Sequence, residues 1–184
     1  KKDYQKILAT HSSTKERLSF YDLLYQKIFK ITGEPKTILD LGSGINPLSF
    51  SHMNLKKVNY FAYDLSKEEV KILNQFFKDQ KIKGKAGILD LLQIEKVKKL
   101  PKAEVAFLFK MTDVLDKGKG HKTSEEIIKA IPAKFVVVSF ATLTISGKKM
   151  NYPRRGWIEL MCKRLGYEFK LLEFSNELFY VVMK

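Results

Sequence analysis

The residues best suited to chemistry in this sequence stand at the ends of predicted strands, beginning with the turn at 37–48, TILDLGSGINPL. Gly42 and Gly44 follow a short apolar strand, and glycine lets a backbone approach a ligand closely and adopt positive φ. Asp64 ends the next apolar run, 20 residues after Gly44, and Asp90 ends a third. An acid at such a position can accept hydrogen bonds from ribose hydroxyls or from an adenine amino group. The spacing therefore predicts a nucleoside site.

The same turn argues against two common phosphate-binding sites. A dinucleotide fingerprint needs a third glycine where Pro47 stands, and the sequence has no Gly-Lys-Ser/Thr of a P-loop. A nucleoside without phosphates fits better, so we expect S-adenosylmethionine as the cofactor. A cation would hold its carboxylate, and an acid such as Asp40 would lie near its sulfonium. No metal site is predicted.

The elements that position these residues alternate between strand and helix. We expect strands at 38–41, 59–65, 86–89, 105–110 and 135–141, and helices at 14–31, 66–79, 122–131 and 155–165. The C-terminal YEFKLLEFSNELFYVVMK indicates two strands around a Ser-Asn turn. This alternation predicts an α/β fold: a seven-stranded, mostly parallel Rossmann-like sheet with a C-terminal antiparallel hairpin, as in class I S-adenosylmethionine-dependent methyltransferases. We expect one methyltransferase domain over 1–184, with a helical segment at 1–33 and the Rossmann-like core at 34–184.

Composition limits the function classes. The chain carries 34 Lys and Arg against 20 Asp and Glu, a net charge of +14, and this excess indicates a polyanionic partner such as nucleic acid. Its single cysteine, Cys162, allows no internal disulfide, which suits a reducing cytoplasm. No apolar run reaches the roughly 18 residues of a membrane span, and the N-terminus lacks the apolar block of a signal peptide. We expect a cytoplasmic monomer that does not contact membranes.

Six motifs, in the same order, carry a resemblance to a known family: HSSTKERL, LDLGSGINPL, YDL, LFK, VVSFATLTISG and ELFYVV. The whole chain resembles the aminoglycoside-resistance 16S rRNA (guanine-N7) methyltransferases, the Arm/Rmt group, in a short form lacking their N-terminal helical extension. The resemblance implies methyl transfer from S-adenosylmethionine to N7 of a guanine in small-subunit rRNA. It also implies the 16S rRNA or the small ribosomal subunit as partner.

The resemblance also implies roles for individual residues. Lys15 or Arg17 would hold the cofactor carboxylate, and Arg17 is favoured because a guanidinium can donate two hydrogen bonds at once. Asp64 would bind the ribose, and Lys110 would lie beside the target base as the expected catalytic residue. The expected cofactor-binding residues are Lys15, Arg17, Asp40, Gly42, Gly44, Asn46, Asp64, Leu65, Asp90 and Leu91.

The loops after the fourth and fifth predicted strands, at 116–122 and 146–157, should face the RNA. Both are basic, and cations can neutralise phosphates while aromatic rings stack on an exposed base. The expected RNA-binding residues are Lys148, Lys149, Tyr152, Arg154, Arg155 and Trp157.

The chemistry expected of the site needs little machinery. Guanine N7 carries a lone pair and no proton, so attack on a sulfonium methyl requires alignment and no general base. Cys162 lies inside a predicted helix, which disfavours a cysteine nucleophile. Three alternatives stay open: methylation of another RNA, methylation of a small molecule, and a non-catalytic RNA-binding module. Basic loops argue against the small molecule, and the intact glycine turn argues against the non-catalytic module.

Overall fold

A computed structural model describes residues 3–118, 120–144 and 146–184, and in these residues seven strands form one sheet. Lys119 of the 116–122 loop and Ile145 of the VVSFATLTISG motif lie outside the described residues. The strands are β1 Thr37–Leu41, β2 Asn59–Asp64, β3 Gly84–Ile88, β4 Ala103–Phe109, β5 Ala133–Ala141, β6 Glu168–Glu173 and β7 Glu177–Met183.

The strand order is β3-β2-β1-β4-β5-β7-β6. The first five strands pair in parallel, and β7 is antiparallel to both β5 and β6. The predicted C-terminal hairpin is therefore confirmed. The order reverses between β1 and β4, and in open parallel sheets ligands bind beyond the carboxyl ends of the strands at such a reversal.

Helices cover both faces of the sheet. They are α1 Tyr4–Leu8, α2 Ser12–Arg17, α3 Tyr21–Thr32, a 3₁₀ helix Asn46–Met53, α4 Lys67–Asp79, α5 Ile94–Val97, α6 Thr112–Asp116, α7 Lys122–Ala130 and α8 Gly156–Leu165. One apolar core contains residues of α1, α3, the 3₁₀ helix and α4, and the other contains residues of α5, α7 and α8. The sheet separates the two cores, so it is buried on both sides, as expected for parallel strands.

Local signals explain where several elements begin. The Ser66 side chain accepts a hydrogen bond from the Glu69 amide and caps α4, as predicted. Pro47 lies in the first turn of the 3₁₀ helix, where its missing N–H costs nothing. No helix in the described part of the chain is both long and apolar enough to cross a membrane.

The single helix predicted over 14–31 is wrong, because the chain breaks between α2 and α3. Phe20, just before α3, stacks on Phe174 with ring centroids 4.5 Å apart. Thr14 and Arg17 are buried on α2, whereas α3 buries Tyr21, Leu24, Tyr25 and Ile28 against the sheet. The turn lets the two helices direct their buried side chains to different places, which one straight helix could not do.

Candidate active site

The glycine turn after β1 adopts the backbone that its sequence suggested. Gly42 and Gly44 have φ of 62° and 49°, in the left-handed region. A Cβ on Gly42 would collide with the Met111 side chain, and the positive φ would strain any larger residue at this position. The Gly44 amide donates a 2.8 Å hydrogen bond to Asp64, which ties the turn to the end of β2. The glycines thus shape the edge of the sheet where a ligand would approach.

A pocket of about 330 Å³ lies at the carboxyl ends of the parallel strands. That volume falls in the range typical of small-molecule sites. Its lining residues are Gly42, Asp64, Leu65, Leu89, Asp90, Leu91, Leu92, Met111, Val114, Leu115 and Lys117. The structure therefore brings together five of the predicted cofactor-binding residues: Gly42, Asp64, Leu65, Asp90 and Leu91.

The lining of this pocket is mostly apolar, and its two acidic side chains are Asp64 and Asp90. Asp64 accepts from the amides of Gly44 and Ser66, at 2.8 and 3.0 Å, and Asp90 accepts from the Leu92 amide at 2.9 Å. Backbone amides thus fix both carboxylates in place, and each oxygen retains a further lone pair for a ligand hydroxyl or amine. Apolar walls around fixed acceptors suit a flat, hydroxyl-bearing nucleoside.

The other predicted cofactor-binding residues do not line this pocket. Asp40 and Asn46 are buried beneath the turn, and the Asn46 side-chain amide donates to Asp40 at 2.9 Å. The Tyr60 hydroxyl donates to the same Asp40 oxygen at 2.7 Å, and the Tyr21 hydroxyl donates to the Asn46 carbonyl oxygen at 2.9 Å. The asparagine before Pro47 thus joins β1 to α3 and connects two tyrosines through one buried network.

Burial dominates the electrostatics of this network. It raises the pKa of the Asp40 carboxyl from 3.8 to about 7, even though the hydrogen bonds from Asn46 and Tyr60 favour the ionised form. Burial likewise raises the pKa of Tyr60 well above its ordinary value, and the neighbouring Asp40 charge adds to this shift. Asp40 therefore acts here as a buried acceptor rather than as a solvent-facing acid.

Arg17 is buried and has an internal partner that the sequence did not reveal. Its Nε and one Nη donate to the two carboxylate oxygens of Glu177, at 2.9 and 2.7 Å, and its guanidinium lies 4.8 Å from the ring centre of Phe109. Both charged side chains are at most 2% exposed. Lys15, the other candidate for the cofactor carboxylate, is exposed. The one sequence feature that pointed to a buried partner for a cation was Glu177, an acid at the start of an otherwise apolar strand.

Lys110 extends this ion-pair network toward the surface. Its ammonium lies 2.6 Å from Glu16 and 3.6 Å from Glu177. Its backbone has φ of 55°, a conformation that costs a non-glycine residue about 1 to 3 kcal/mol, and its amide donates to the Ser139 hydroxyl at 3.0 Å. The surroundings therefore hold Lys110 in a strained conformation just after β4, where the target base is expected.

The predicted RNA-binding loop divides into exposed and internal side chains. Lys148, Lys149 and Arg154 are exposed, and the Tyr152 ring is 88% exposed. Arg154 donates to Glu159 at 2.9 Å on the surface. These four side chains can meet an RNA without rearrangement of the core.

Arg155 and Trp157 instead contact their own chain. The Arg155 guanidinium donates to the Pro153 carbonyl oxygen at 3.0 Å and lies 5.2 Å from the centre of the Phe140 ring. Trp157 stacks on His121 with ring centroids 4.5 Å apart. This stack joins the loop after β4 to the loop after β5, so the two predicted RNA-facing loops are in contact.

Cys162 is buried in α8, and burial raises the pKa of its thiol to about 11. A thiol that remains protonated at neutral pH is a poor nucleophile. Within the described residues, no group of three or more His, Cys, Asp or Glu side chains is placed to hold a metal ion.

Comparison with known proteins gives the chain a family. The model of the FmrO family, described as ribosomal RNA methyltransferases, matches residues 1–181. The chain belongs to this family. The family resemblance predicted from the six motifs is therefore confirmed.

Relatives of this FmrO-family chain carry specific names. It is 26% identical over 182 residues to a 16S rRNA (guanine(1405)-N(7))-methyltransferase of Frankia casuarinae, covering 97% of this chain and 63% of that protein. It is 28% identical over 188 residues to the protein of the same name from Proteus mirabilis, covering 97% and 64%. The chain thus spans less than two thirds of the length of these relatives.

Solved structures share the fold of the FmrO-family chain. The 16S rRNA methylase ArmA superposes with a TM-score of 0.80 at 27% identity, covering 99% of this chain and 91% of that one. The 16S rRNA methyltransferase RmtF, solved with S-adenosyl-L-homocysteine, gives a TM-score of 0.80 at 24% identity and covers 98% and 68%. The predicted Rossmann-like methyltransferase fold is confirmed.

The raised pKa of Asp40 predicts a pH-dependent stability. The folded protein holds this proton more tightly than the unfolded chain does. The contribution of protonated Asp40 to the free energy of unfolding is therefore fully present below pH 4 and is lost as pH rises toward 7. Asp40→Asn removes this titration and keeps an acceptor for Asn46 and Tyr60. Between pH 5 and 7.5, the variant should therefore gain about 2 kcal/mol in free energy of unfolding relative to the parent, measured by urea denaturation. A constant difference between the two proteins would contradict the assigned pKa.

The buried Arg17–Glu177 pair predicts a large loss of stability when its charge balance is removed. Glu177→Gln leaves Arg17 buried without a full counter-charge and should lower the free energy of unfolding by about 3 kcal/mol. Urea denaturation measures this loss. The control is Glu173→Gln at an exposed position of β6, which should change stability by about 0.5 kcal/mol or less. Equal stabilities for the two variants would show that the pair does not anchor α2.

Proposed function

We propose that this chain is an S-adenosylmethionine-dependent RNA methyltransferase that transfers a methyl group to N7 of a guanine in small-subunit rRNA. The observation that carries the proposal is the apolar pocket at the strand ends, with Asp64 and Asp90 fixed by backbone amides, in a member of a ribosomal RNA methyltransferase family. The choice of guanine as the methylated base and of N7 as the methylated atom follows the names of the relatives. We take 1–184 as one methyltransferase domain, with a helical segment at 1–33 and the Rossmann-like core at 34–184.

The residues present fit the cofactor. Asp64 would accept from the ribose hydroxyls, Asp90 would accept from the adenine amino group, and Leu65 and Leu91 would flank the rings. The bound cofactor would supply an electrophilic methyl group. Arg17 and Lys15 stay the proposed partners of its carboxylate. Of the two, Lys15 is the exposed one, whereas Arg17 would have to share its guanidinium with Glu177.

The target base would need positioning more than activation. Guanine N7 presents a lone pair without a proton, so no residue has to act as a general base, and the alignment of the two reactants lowers the barrier. Lys110, strained and paired to Glu16 at the edge of the site, is the proposed positioning group. Methylation would add a positive charge to the guanine and remove its N7 acceptor. Such a change would weaken binding of a cationic aminoglycoside at that site.

The deciding assay is methyl transfer from labelled S-adenosylmethionine to purified 30S subunits, with naked 16S rRNA in parallel. Cleavage at 7-methylguanine then maps the product. One modified guanine in the rRNA supports the proposal. Transfer to neither substrate, despite cofactor binding, would point to another RNA or to a small molecule. A chain that does not bind the cofactor at all would favour the non-catalytic RNA-binding module.

Asp64→Asn tests the cofactor site directly. The neutral side chain loses a charge-assisted hydrogen bond to the ribose, worth about 1.5 to 3 kcal/mol, so the Kd for S-adenosylmethionine should rise roughly tenfold or more by calorimetry. Binding to 30S subunits should remain. Asp22→Asn is the matched control, because Asp22 is exposed and pairs with His52 away from the pocket. Unchanged cofactor affinity in the Asp64 variant would remove that residue from the site.

The basic loop gives a second prediction. The triple variant K148A/K149A/R154A should bind 30S subunits more weakly than the parent. The steepness of log affinity against log salt should fall by roughly two, because a protein with fewer phosphate contacts releases fewer counterions on binding. Cofactor affinity should not change. Arg155→Ala should instead lower the melting temperature, since Arg155 packs on Phe140 and binds its own backbone. Parent-like subunit binding by the triple variant would exclude this loop from the RNA interface.

A further inference from the structure

A second basic surface lies at the opposite end of the sheet from the cofactor pocket. A groove of about 700 Å³ opens there beside the amino ends of β1, β2 and β3. Five of its ten lining residues are lysines and none is acidic, whereas lysine and arginine together account for 34 of the 184 residues of the chain. The lysines are Lys36, Lys56, Lys57, Lys81 and Lys83. We call this surface the lysine groove.

The sheet itself brings these lysines together. Lys36 directly precedes β1, Lys57 lies two residues before β2, and Lys83 directly precedes β3. The amides of Asn59 and Tyr60 donate to the carbonyl oxygens of Lys36 and Lys83, both at 2.9 Å. Parallel strands start at the same edge of a sheet, about 4.8 Å apart, so lysines before successive strands must be neighbours. The cluster therefore depends on the fold and not on one flexible loop.

The charge of the lysine groove is not neutralised by the described residues. All five lysines are exposed, and none of their ammonium groups forms an ion pair within the described ranges. Three acids stand near the groove, and Glu34, two residues before Lys36, is exposed to solvent, whereas the other two have internal contacts. Asp79 accepts from the Tyr4 hydroxyl and the Gln75 amide, and Glu104 accepts from the Thr37 amide. Clustered cations with little compensation repel one another and attract a polyanion.

We propose that the lysine groove binds the phosphate backbone of RNA, as a second contact with the rRNA substrate. The inference rests on the proposed function for the identity of that RNA. Strands of five or six residues separate the groove from the pocket, a distance of roughly 17 to 20 Å. The groove would therefore contact a segment other than the one that presents the target guanine. Its role would be affinity and orientation, since phosphate contacts position a protein without reading sequence.

The test compares two triple variants that remove the same charge. K36A/K57A/K83A changes the groove, and K129A/K163A/K170A removes three exposed lysines on α7, α8 and β6, none of which lines the groove. Purified 30S subunits are titrated with each protein at several salt concentrations. The groove variant should bind about tenfold more weakly at low salt and lose roughly two from the salt slope, whereas the control should stay within about twofold of the parent. Both should keep the parent's cofactor affinity and melting temperature.

Each other outcome overturns the proposal. Equal losses in the two variants would mean that only total charge matters. Parent-like binding by the groove variant would mean that the groove does not contact the subunit. Binding of each protein to phosphatidylserine vesicles is measured in parallel. If the groove variant binds the vesicles more weakly than the parent but binds subunits like the parent, the groove belongs to a lipid surface.

The parent protein separates failure of the groove from failure of the proposed function. If the parent transfers methyl to rRNA and the groove variant binds subunits normally, only the groove assignment fails. If the parent neither binds nor methylates small-subunit rRNA, the proposed function fails, whatever the variants do.

Discussion

The buried ion pair between Arg17 and Glu177 is the constraint on which the carboxyl edge of the sheet depends. The two residues are 160 positions apart, and both are almost completely excluded from solvent. Removing two charges from water costs several kcal/mol for each ion, and only close, well-oriented contact recovers that cost. The pair therefore permits very little displacement between α2 and the start of β7. The N-terminal helical segment consequently becomes a fixed part of the site's edge.

A second polar network supports the same region from beneath. Asn46 connects Asp40 on β1 to Tyr21 on α3, while Tyr60 on β2 completes the set of donors to Asp40. The glycine turn thus has buried hydrogen bonds below it and the Asp64 carboxylate beside it. A partly satisfied network of this kind would be unstable, but a complete one holds a single arrangement. The pocket needs that rigidity, because acceptors that are already fixed lose no further conformational freedom when a nucleoside binds.

Features encoded locally were predictable from the sequence, and features created by tertiary contact were not. Strand alternation, the glycines and the acids at the ends of β2 and β3 follow short patterns, so five of the proposed cofactor-binding residues meet in one pocket. Arg17 also belongs to a readable motif, yet nothing near it in sequence indicates Glu177 as its partner. The break between α2 and α3 escaped prediction because the apolar periodicity continues across it. Arg155 and Trp157 look like RNA-binding residues in a basic loop, and only packing reveals their internal contacts.

The distribution of charge separates binding from chemistry in the proposed reaction. Attack by a neutral ring nitrogen on a sulfonium methyl needs no proton transfer, so ionisable groups have no required part in the bond-making step. The acids of the pocket would serve the nucleoside, and the excess of lysines lies on exposed loops and at the amino end of the sheet. Contacts of that kind hold the ground state and the transition state equally, so they lower KM without changing kcat. Surface charge could therefore diverge among relatives to suit the shape of the RNA, while the pocket and the two buried networks remain constrained by the cofactor.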